Sequence, residues 1–205
     1  MSEGIGARVL RKEDKRFITG RGRYTDDIKA DKQAYAAFVR SPHAHAIIRG
    51  IDAKVAEETS GVIGVMNGSQ LTGDGIGNII CGWAISSKDG SPMNMGAWSA
   101  LATEKVRYVG DAVAVVIAES QEIARNAAEL VEVDYEVLPA VVNSVESLQN
   151  NACQIHENAP GNLIFDWEIG NLLETDEALK NAAHITKLEL TNNRLSPNAM
   201  EPRSA

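Results

Sequence analysis

The stretch AVAVVIAESQEIARNAAELVEVDYEV, residues 112–137, predicts a strand, a helix and a second strand in direct succession. The run from Ala112 to Ala118 is apolar at every position, so we expect a strand that is buried on both faces. Ser120 is a residue type that caps helices, because its hydroxyl can accept a backbone N–H of the first turn. Four apolar residues then follow at helical spacing: Ile123, Ala127, Leu130 and Val131.

The second strand of this stretch shows the clearest alternation in the chain. Its apolar side chains share one face: Val131, Val133, Tyr135 and Val137. Three carboxylates, from Glu132, Asp134 and Glu136, share the other face, which we interpret as solvated rather than as a cation site. Pro139 ends the strand. We predict that one core is built from six residues: Ala114, Val116, Ile123, Ala127, Val133 and Val137.

The region before this stretch predicts further short elements. Three strands are expected: Ala34 to Ser41, His45 to Ile51 and Val62 to Met66. Asp52 is placed to cap a helix that ends at Gly61, since glycine enters the left-handed region without strain.

Glycine also marks a turn ahead of the apolar strand. Gly110-Asp111 lies between Val106 to Val109 and Ala112 to Ala118, which predicts a two-residue hairpin. Two segments show no period, the polar arm Arg8 to Ile28 and the long connection Thr72 to Glu104. We expect the arm to be extended and both segments to be interfaces, because long irregular connections in compact domains are usually functional.

The last part of the chain is mostly irregular. Val145 to Asn171 predicts a loop with a turn at Pro160-Gly161. Thr175 is expected to cap a short helix, and Ile185 to Leu190 predicts a final strand. Helices alternate with short strands along the chain, so the expected fold class is α+β (mixed α/β).

Composition excludes several classes of protein. The 205 residues contain 20 Lys and Arg against 28 Asp and Glu, a net charge of −8, which disfavours nucleic acid as a partner. No apolar run reaches the length of a membrane span, and the charged N-terminus differs from a signal peptide, so we expect a cytoplasmic protein. Cys81 and Cys153 belong to no metal or disulfide pattern and are expected to be reduced thiols.

Three groups of residues could carry chemistry, and each has a simpler structural interpretation. His43 and His45 could place two imidazoles on one strand face, but no third ligand stands nearby in sequence, which favours packing. The loop Gly73-x-Gly75-x-Gly77 lacks the strand and helix of a dinucleotide site. Three arginines are expected to form surface or interface ion pairs: Arg21, Arg23 and Arg40. No residue is therefore assigned as catalytic, cofactor-binding or metal-binding.

Six segments, in order, carry a family resemblance. They are RKEDKRFITGRGRYTDDI (11–28), AFVRSPHAHA (37–46), KVRYVGDAVAVVIAES (105–120), AAELVEVDYEVLPAVV (127–142), IHENAPGNL (155–163) and NAMEPRSA (198–205). The series resembles the start of the molybdenum-binding large subunit of the xanthine dehydrogenase and aldehyde oxidase family, and above all its carbon monoxide dehydrogenase-like members. The chain departs from the family pattern at three places: Gly110-Asp111-Ala112, Gly170-Asn171 and Asn192-Asn193-Arg194.

The resemblance implies a domain organisation. Residues 1–19 would form an N-terminal arm, and residues 20–139 an a/b hammerhead domain of short strands with packed helices. Residues 140–205 would form a linker and the opening strand of a truncated molybdopterin-binding domain.

The resemblance also implies an activity for the whole enzyme. The whole enzyme would be a bacterial-type oxidoreductase whose molybdenum centre oxidises an aldehyde, an N-heterocycle or carbon monoxide with oxygen from water. The implied partners are an iron–sulfur subunit, a flavin subunit and the remainder of the large subunit. The family's cofactor loops and catalytic glutamate have no counterpart in these 205 residues, so we expect the chain alone to be inactive and to bind no molybdopterin.

Two other functions stay open at this stage. The chain could be a self-standing hammerhead module, structural or binding, or a gene remnant without catalysis. An unpaired strand at Ile185 to Leu190 argues against a module, because exposed strand edges promote aggregation. The chain could also be a small nucleotide-binding protein that uses the loop from Gly73 to Gly77.

Overall fold

The computed structural model describes residues 4–6, 10–96, 98–193, 195, 198–199 and 201. The chain divides into two compact units. One unit comprises Met1–Gln33 with His184–Ala205, and the other comprises Ala34–Ala183.

The smaller unit contains little regular structure. A short helix, α1 (Asp14–Ile18), precedes one turn of 3-10 helix over Thr25–Asp27. The rings of Phe17 and Tyr24 stack with their centroids 5.4 Å apart. The prediction of an extended arm over Arg8 to Ile28 is therefore wrong for residues 14–18, while Arg8 and Val9 lie outside the described residues.

The predicted last strand, Ile185 to Leu190, does not form. A strand needs a neighbour to pair its backbone groups, and the described part of the smaller unit holds no other strand. The sequence also predicts the start of a following domain near the end of the chain. Several of its residues lie outside the described part of the structure: Arg194, Ser196, Pro197, Met200 and residues 202–205.

The larger unit contains the strands and helices that the sequence pattern predicts, with a few differences. Its strands are β1 (Tyr35–Arg40), β2 (Ala46–Asp52), β3 (Val62–Asn67), β4 (Lys105–Val106), β5 (Ala112–Ala118) and β6 (Glu132–Val137). Its helices are α2 (Lys54–Glu57), α3 (Gly68–Gly73), α4 (Gln121–Ala128) and α5 (Leu172–Lys180). The α+β fold class is confirmed.

The six strands form two antiparallel sheets. The first has the order β1-β5-β3 and the second the order β4-β2-β6. β5 is the central strand of the first sheet, with β1 and β3 on its two edges and α4 packed on one face. This position explains why its sequence is apolar throughout.

The predicted hairpin across Gly110-Asp111 is wrong. β4 pairs with β2 in the second sheet, whereas β5 pairs with β1 and β3 in the first. The turn instead carries the chain from the second sheet to the first. It is held by two hydrogen bonds: Gly110 N–H donates to the Ser41 carbonyl, and Arg107 N–H donates to the Asp111 carboxylate.

The core prediction is confirmed for half of its residues. Ala114, Val116 and Ala127 are fully buried in one cluster, and Val133 is partly buried against it. Ile123 is only half-buried and would lie 2.7 Å from a Cβ built on Gly61, so it packs on that turn. Val137 is 62% exposed and is the last residue of β6, an edge strand of the second sheet.

Of the three predicted helix caps, one is confirmed and two are corrected. Ser120 caps α4 by accepting the Ile123 N–H. Asn171, not Thr175, caps α5, because the Asn171 side chain accepts the Glu174 N–H. The prediction that Asp52 caps a helix reaching Gly61 is wrong. Asp52 ends β2 and accepts the Lys54 N–H, but Ala53 occupies the capping position and α2 covers only Lys54–Glu57.

One helix was missed by the sequence analysis. α3 begins with a reciprocal capping box, in which Gln70 N–H donates to Asn67 Oδ1 and Asn67 N–H donates to Gln70 Oε1. Beyond α3 the long connection is irregular as predicted, with an isolated bridge between Ser86 and Pro92. Among the described residues, no helix is both long enough and apolar enough to cross a membrane.

Candidate functional site

Two cations and one carboxylate hold the segment around residue 157 against β4. Lys105 Nζ lies 2.5 Å from Glu157 Oε1, and Arg107 Nη2 lies 2.8 Å from Glu157 Oε2. Arg107 Nε also donates to the Ile155 carbonyl at 3.1 Å. Hydrogen bonds from Lys105 and Arg107 stabilise the carboxylate and lower the pKa of Glu157 from 4.5 to about 2.

The same cations line a small cavity of about 270 Å³. Its other main lining residues are aromatic or ionisable: Trp98, Tyr108, Asp111 and His156. The Trp98 ring lies 6.3 Å from the rings of both Tyr108 and His156, measured between centroids. Gly96 lies directly against His156, since a Cβ on Gly96 would be 2.6 Å from the imidazole Nδ1.

Burial shapes the ionisation of the aromatic residues around this cavity. Burial, helped by the positive charge of Arg107, lowers the pKa of His156, which favours the neutral imidazole. Burial also raises the pKa of Tyr108, with the nearby Asp111 carboxylate acting in the same direction. The two cations that line the cavity are already paired with Glu157.

His43 and His45 take the packing role that the sequence favours. His45 is 5% exposed, and its Nδ1 donates to the Pro139 carbonyl at 2.7 Å, because a carbonyl oxygen can only accept. The His43 ring contacts Tyr135 edge to face, with centroids 5.1 Å apart. Within the described residues, no three His, Cys, Asp or Glu side chains are grouped so as to hold a metal.

The glycine loop and the acidic row also have structural roles. Gly73 is the last residue of α3, and residues 73–77 are exposed without a helix that follows them. The side chains of Glu132, Asp134 and Glu136 are exposed as predicted, and Glu136 pairs with Arg49.

The three arginines are not brought together as an anion site by anything the structure describes. Arg40 donates to the Gly110 carbonyl and lies over the Phe38 ring. Arg21 and Arg23 are exposed residues of the smaller unit. Cys81 and Cys153 are both free thiols, as expected.

The sequence analysis missed the cluster of Lys105, Arg107, His156 and Glu157. The signal available was Lys105-x-Arg107, which places two cations on one side of a strand. Nothing in the spacing indicates that Glu157 is their partner, because the pair is set by tertiary folding. The cluster ties two segments of the chain together.

We call the ion pairs of Glu157 with Lys105 and Arg107 the clamp, and replacing Glu157 by Gln tests its strength. We expect Glu157→Gln to lower the free energy of unfolding by about 0.5–1 kcal/mol at neutral pH, since the carboxylate is partly exposed and screened. Because the pKa of Glu157 is lowered on folding, its contribution is complete above pH 4.5 and is lost as the pH falls toward 2. Urea denaturation across this range measures the difference.

Glu132→Gln, on the exposed face of β6, is the matched control for this variant and should change stability little at any pH. A Glu157→Gln effect that stays constant down to the lowest pH at which the chain is folded would show that the carboxylate charge is not what stabilises the clamp.

Comparison with known proteins gives the fold a family context. The family model described as aldehyde oxidase and xanthine dehydrogenase, a/b hammerhead domain, matches residues 19–139. The carbon monoxide dehydrogenase large chain of Afipia carboxidovorans is 33% identical over 219 residues, covering 97% of this chain and 25% of that protein. The nicotine 6-hydroxylase large subunit of Paenarthrobacter nicotinovorans is 36% identical over 199 residues, covering 97% of this chain and 23% of that protein.

A solved structure supports the same assignment. The crystal structure of a Cu,Mo-CO dehydrogenase in its carbon monoxide reduced state matches 88% of this chain and 23% of that chain, with a TM-score of 0.66 and 32% identity. The chain spans about a quarter of the length of the curated relatives it matches. Since the family model covers more than half of its residues, the chain belongs to the aldehyde oxidase and xanthine dehydrogenase family through its a/b hammerhead domain.

Proposed function

We propose that this chain is the N-terminal scaffold and interface portion of a molybdenum hydroxylase large subunit. The whole enzyme would oxidise an aldehyde, an N-heterocycle or carbon monoxide with oxygen from water. Its partners would be an iron–sulfur subunit, a flavin subunit and the remainder of the large subunit, in the cytoplasm. Residues 1–19 would act as an arm, 20–139 as the hammerhead, and 140–205 as the linker and start of the cofactor domain.

The residues described here do not fit the molybdenum cofactor. A pterin cofactor with its phosphate needs many convergent donors and a base beside the metal. The glycine loop at 73–77 is exposed without converging groups, and the two cations of the cavity are paired with Glu157. A role in holding the rest of the enzyme suits these residues better than a role in its chemistry.

Exposed apolar side chains of the long connection, residues 72–104, are the observation that supports an interface role. Six of them are at least 45% exposed: Ile76, Ile79, Ile80, Trp83, Met95 and Trp98. Several of them surround an open groove together with Met93 and Ile164. Large apolar residues grouped on a surface mark an interaction site, because their hydration costs free energy that a partner would recover.

The clamp gives this connection a fixed base. Asn94 N–H donates to the Ile164 carbonyl, Asn158 donates to the Met95 carbonyl, and Glu157 holds β4. The apolar side chains are therefore presented from a segment that is tied down at several points. This suits an interface better than a freely moving loop.

The coding sequence beyond residue 205 tests the proposal directly. We expect the reading frame to continue for several hundred codons and to encode glycine-rich cofactor loops and a glutamate near its end. A stop codon directly after Ala205 would overturn the proposal and favour a self-standing hammerhead module.

A further inference from the structure

A second group of exposed apolar side chains follows the clamp, in a segment of the larger unit that has no regular secondary structure. Leu163, Phe165, Trp167 and Ile169 occupy alternate positions and are 42%, 37%, 55% and 80% exposed. Ile164, Asp166 and Glu168 occupy the positions between them. An alternation of this kind places the four apolar side chains on one face of a strand-like segment. We call this segment, Leu163–Ile169, the apolar edge.

One side of the apolar edge is bonded to the long connection. The Ile164 carbonyl accepts from Asn94 N–H, and the Asp166 carbonyl accepts from Lys88 N–H. Asp166 N–H donates to Ser87 Oγ, and the Asp166 carboxylate pairs with Lys88 at 2.9 Å. The backbone groups of Ile164 and Asp166 therefore face the connection, and so does the Leu163 carbonyl, which accepts from the Asn94 side chain at 3.0 Å.

The other side of the apolar edge is open. In an extended strand, the N–H and C=O groups of neighbouring residues point to opposite sides. Those of Phe165, Trp167 and Ile169 therefore point away from the connection, and no described residue bonds to them. An exposed strand edge with an apolar face pairs readily with another strand.

The helix that follows in sequence also exposes apolar side chains. Two residues separate the apolar edge from α5, and three leucines of α5 are about half exposed or more: Leu172, Leu173 and Leu179. The acidic side chains nearby are Glu168, Glu174, Asp176 and Glu177. A partner that covers this surface must therefore be apolar at alternate positions and carry Lys or Arg at its flanks.

We propose that the apolar edge is the first strand of a sheet that the remainder of the large subunit completes, by adding an extended strand of this chemistry at Phe165, Trp167 and Ile169. The proposal rests on the proposed function. The length of the relatives favours this occupant, because this chain spans only about a quarter of them. Acidic flanks on the surface disfavour a second copy of the same chain, since two such surfaces would repel each other.

Hydrogen exchange measured by mass spectrometry tests this proposal. The 205-residue chain is compared with the same chain extended along its natural reading frame. We expect the amides of Phe165, Trp167 and Ile169 to exchange about tenfold or more slowly in the longer polypeptide. Equal exchange in both would overturn the proposal. So would protection in the 205-residue chain that appears together with dimers in sedimentation, because the occupant would then be a second copy.

Paired variants separate docking from local folding. We expect Trp167→Lys with Ile169→Lys to leave the melting temperature of the 205-residue chain unchanged and to lower that of the longer polypeptide. Val142→Lys with Val145→Lys, which also replaces exposed apolar residues, is the control and should change neither. An equal loss in both lengths, or none in either, would contradict the proposal. A reading frame that stops at residue 205 would instead remove the proposed function itself, a failure visible in the gene.

Discussion

Replacing Val116 by Asp is expected to destabilise the larger unit by several kcal/mol. Val116 is fully buried in the central strand β5, opposite Ala37 of β1 and Val65 of β3. A carboxylate at this position would be buried without a partner, which costs about 3–5 kcal/mol in comparable cases. Because a domain of this size is stabilised by about 5–15 kcal/mol, such a loss removes much of its stability. Chemical denaturation followed by circular dichroism measures it.

Val142→Asp makes the same chemical change at a position that is 90% exposed and serves as the control. We expect this variant to unfold at nearly the same denaturant concentration as the unmodified chain. A Val116→Asp variant that unfolds together with its control would mean that β5 does not lie at the centre of the sheet.

Replacing Gly68 by Ala is expected to loosen the join between α3 and the end of the long connection. A Cβ at Gly68 would lie 2.6 Å from the Ala102 carbonyl oxygen and 2.7 Å from that of Leu101. Both are backbone atoms beside fully or nearly fully buried residues, so the clash cannot be relieved by rotating a side chain. Overpacking of this kind costs about 1–3 kcal/mol. The midpoint of thermal unfolding measures this loss.

Gly73→Ala, in the same helix, is the matched control, because a Cβ there would meet no atom within 4 Å. Alanine favours helix over glycine by up to about 1 kcal/mol, so this control should be neutral or stabilising. If Gly68→Ala were equally neutral, the backbone of Leu101 and Ala102 would not pack on α3 as closely as described.

Local signals predicted the elements of the larger unit well. Ser120 caps α4 because its hydroxyl is the first good acceptor ahead of a helical apolar pattern, and β5 follows from an unbroken apolar run. α5 begins earlier than predicted because Asn171 precedes Thr175 and is an equally good cap. The positions of helix caps and of buried strands depend on a few neighbouring residues, so they can largely be predicted from the sequence.

Long-range pairings could not be predicted in this way. Gly110-Asp111 has the composition of a hairpin turn, yet its amide bonds to Ser41, which is distant in sequence, and the chain crosses to the other sheet. Glu157 pairs with Lys105 and Arg107 for the same reason. The candidate site was therefore missed although its residues lie inside segments that carry the family resemblance.

Measuring bound molybdenum in the purified 205-residue chain tests the central claim most directly. The chain is produced in a host that makes molybdopterin, and its metal content and dye reduction are measured with aldehydes, purines and carbon monoxide. A scaffold portion without a fitting cofactor site predicts no stoichiometric molybdenum and no turnover above a metal-free control. Molybdenum near one atom per chain, or substrate-dependent dye reduction, would contradict the account and show that these residues form a complete site.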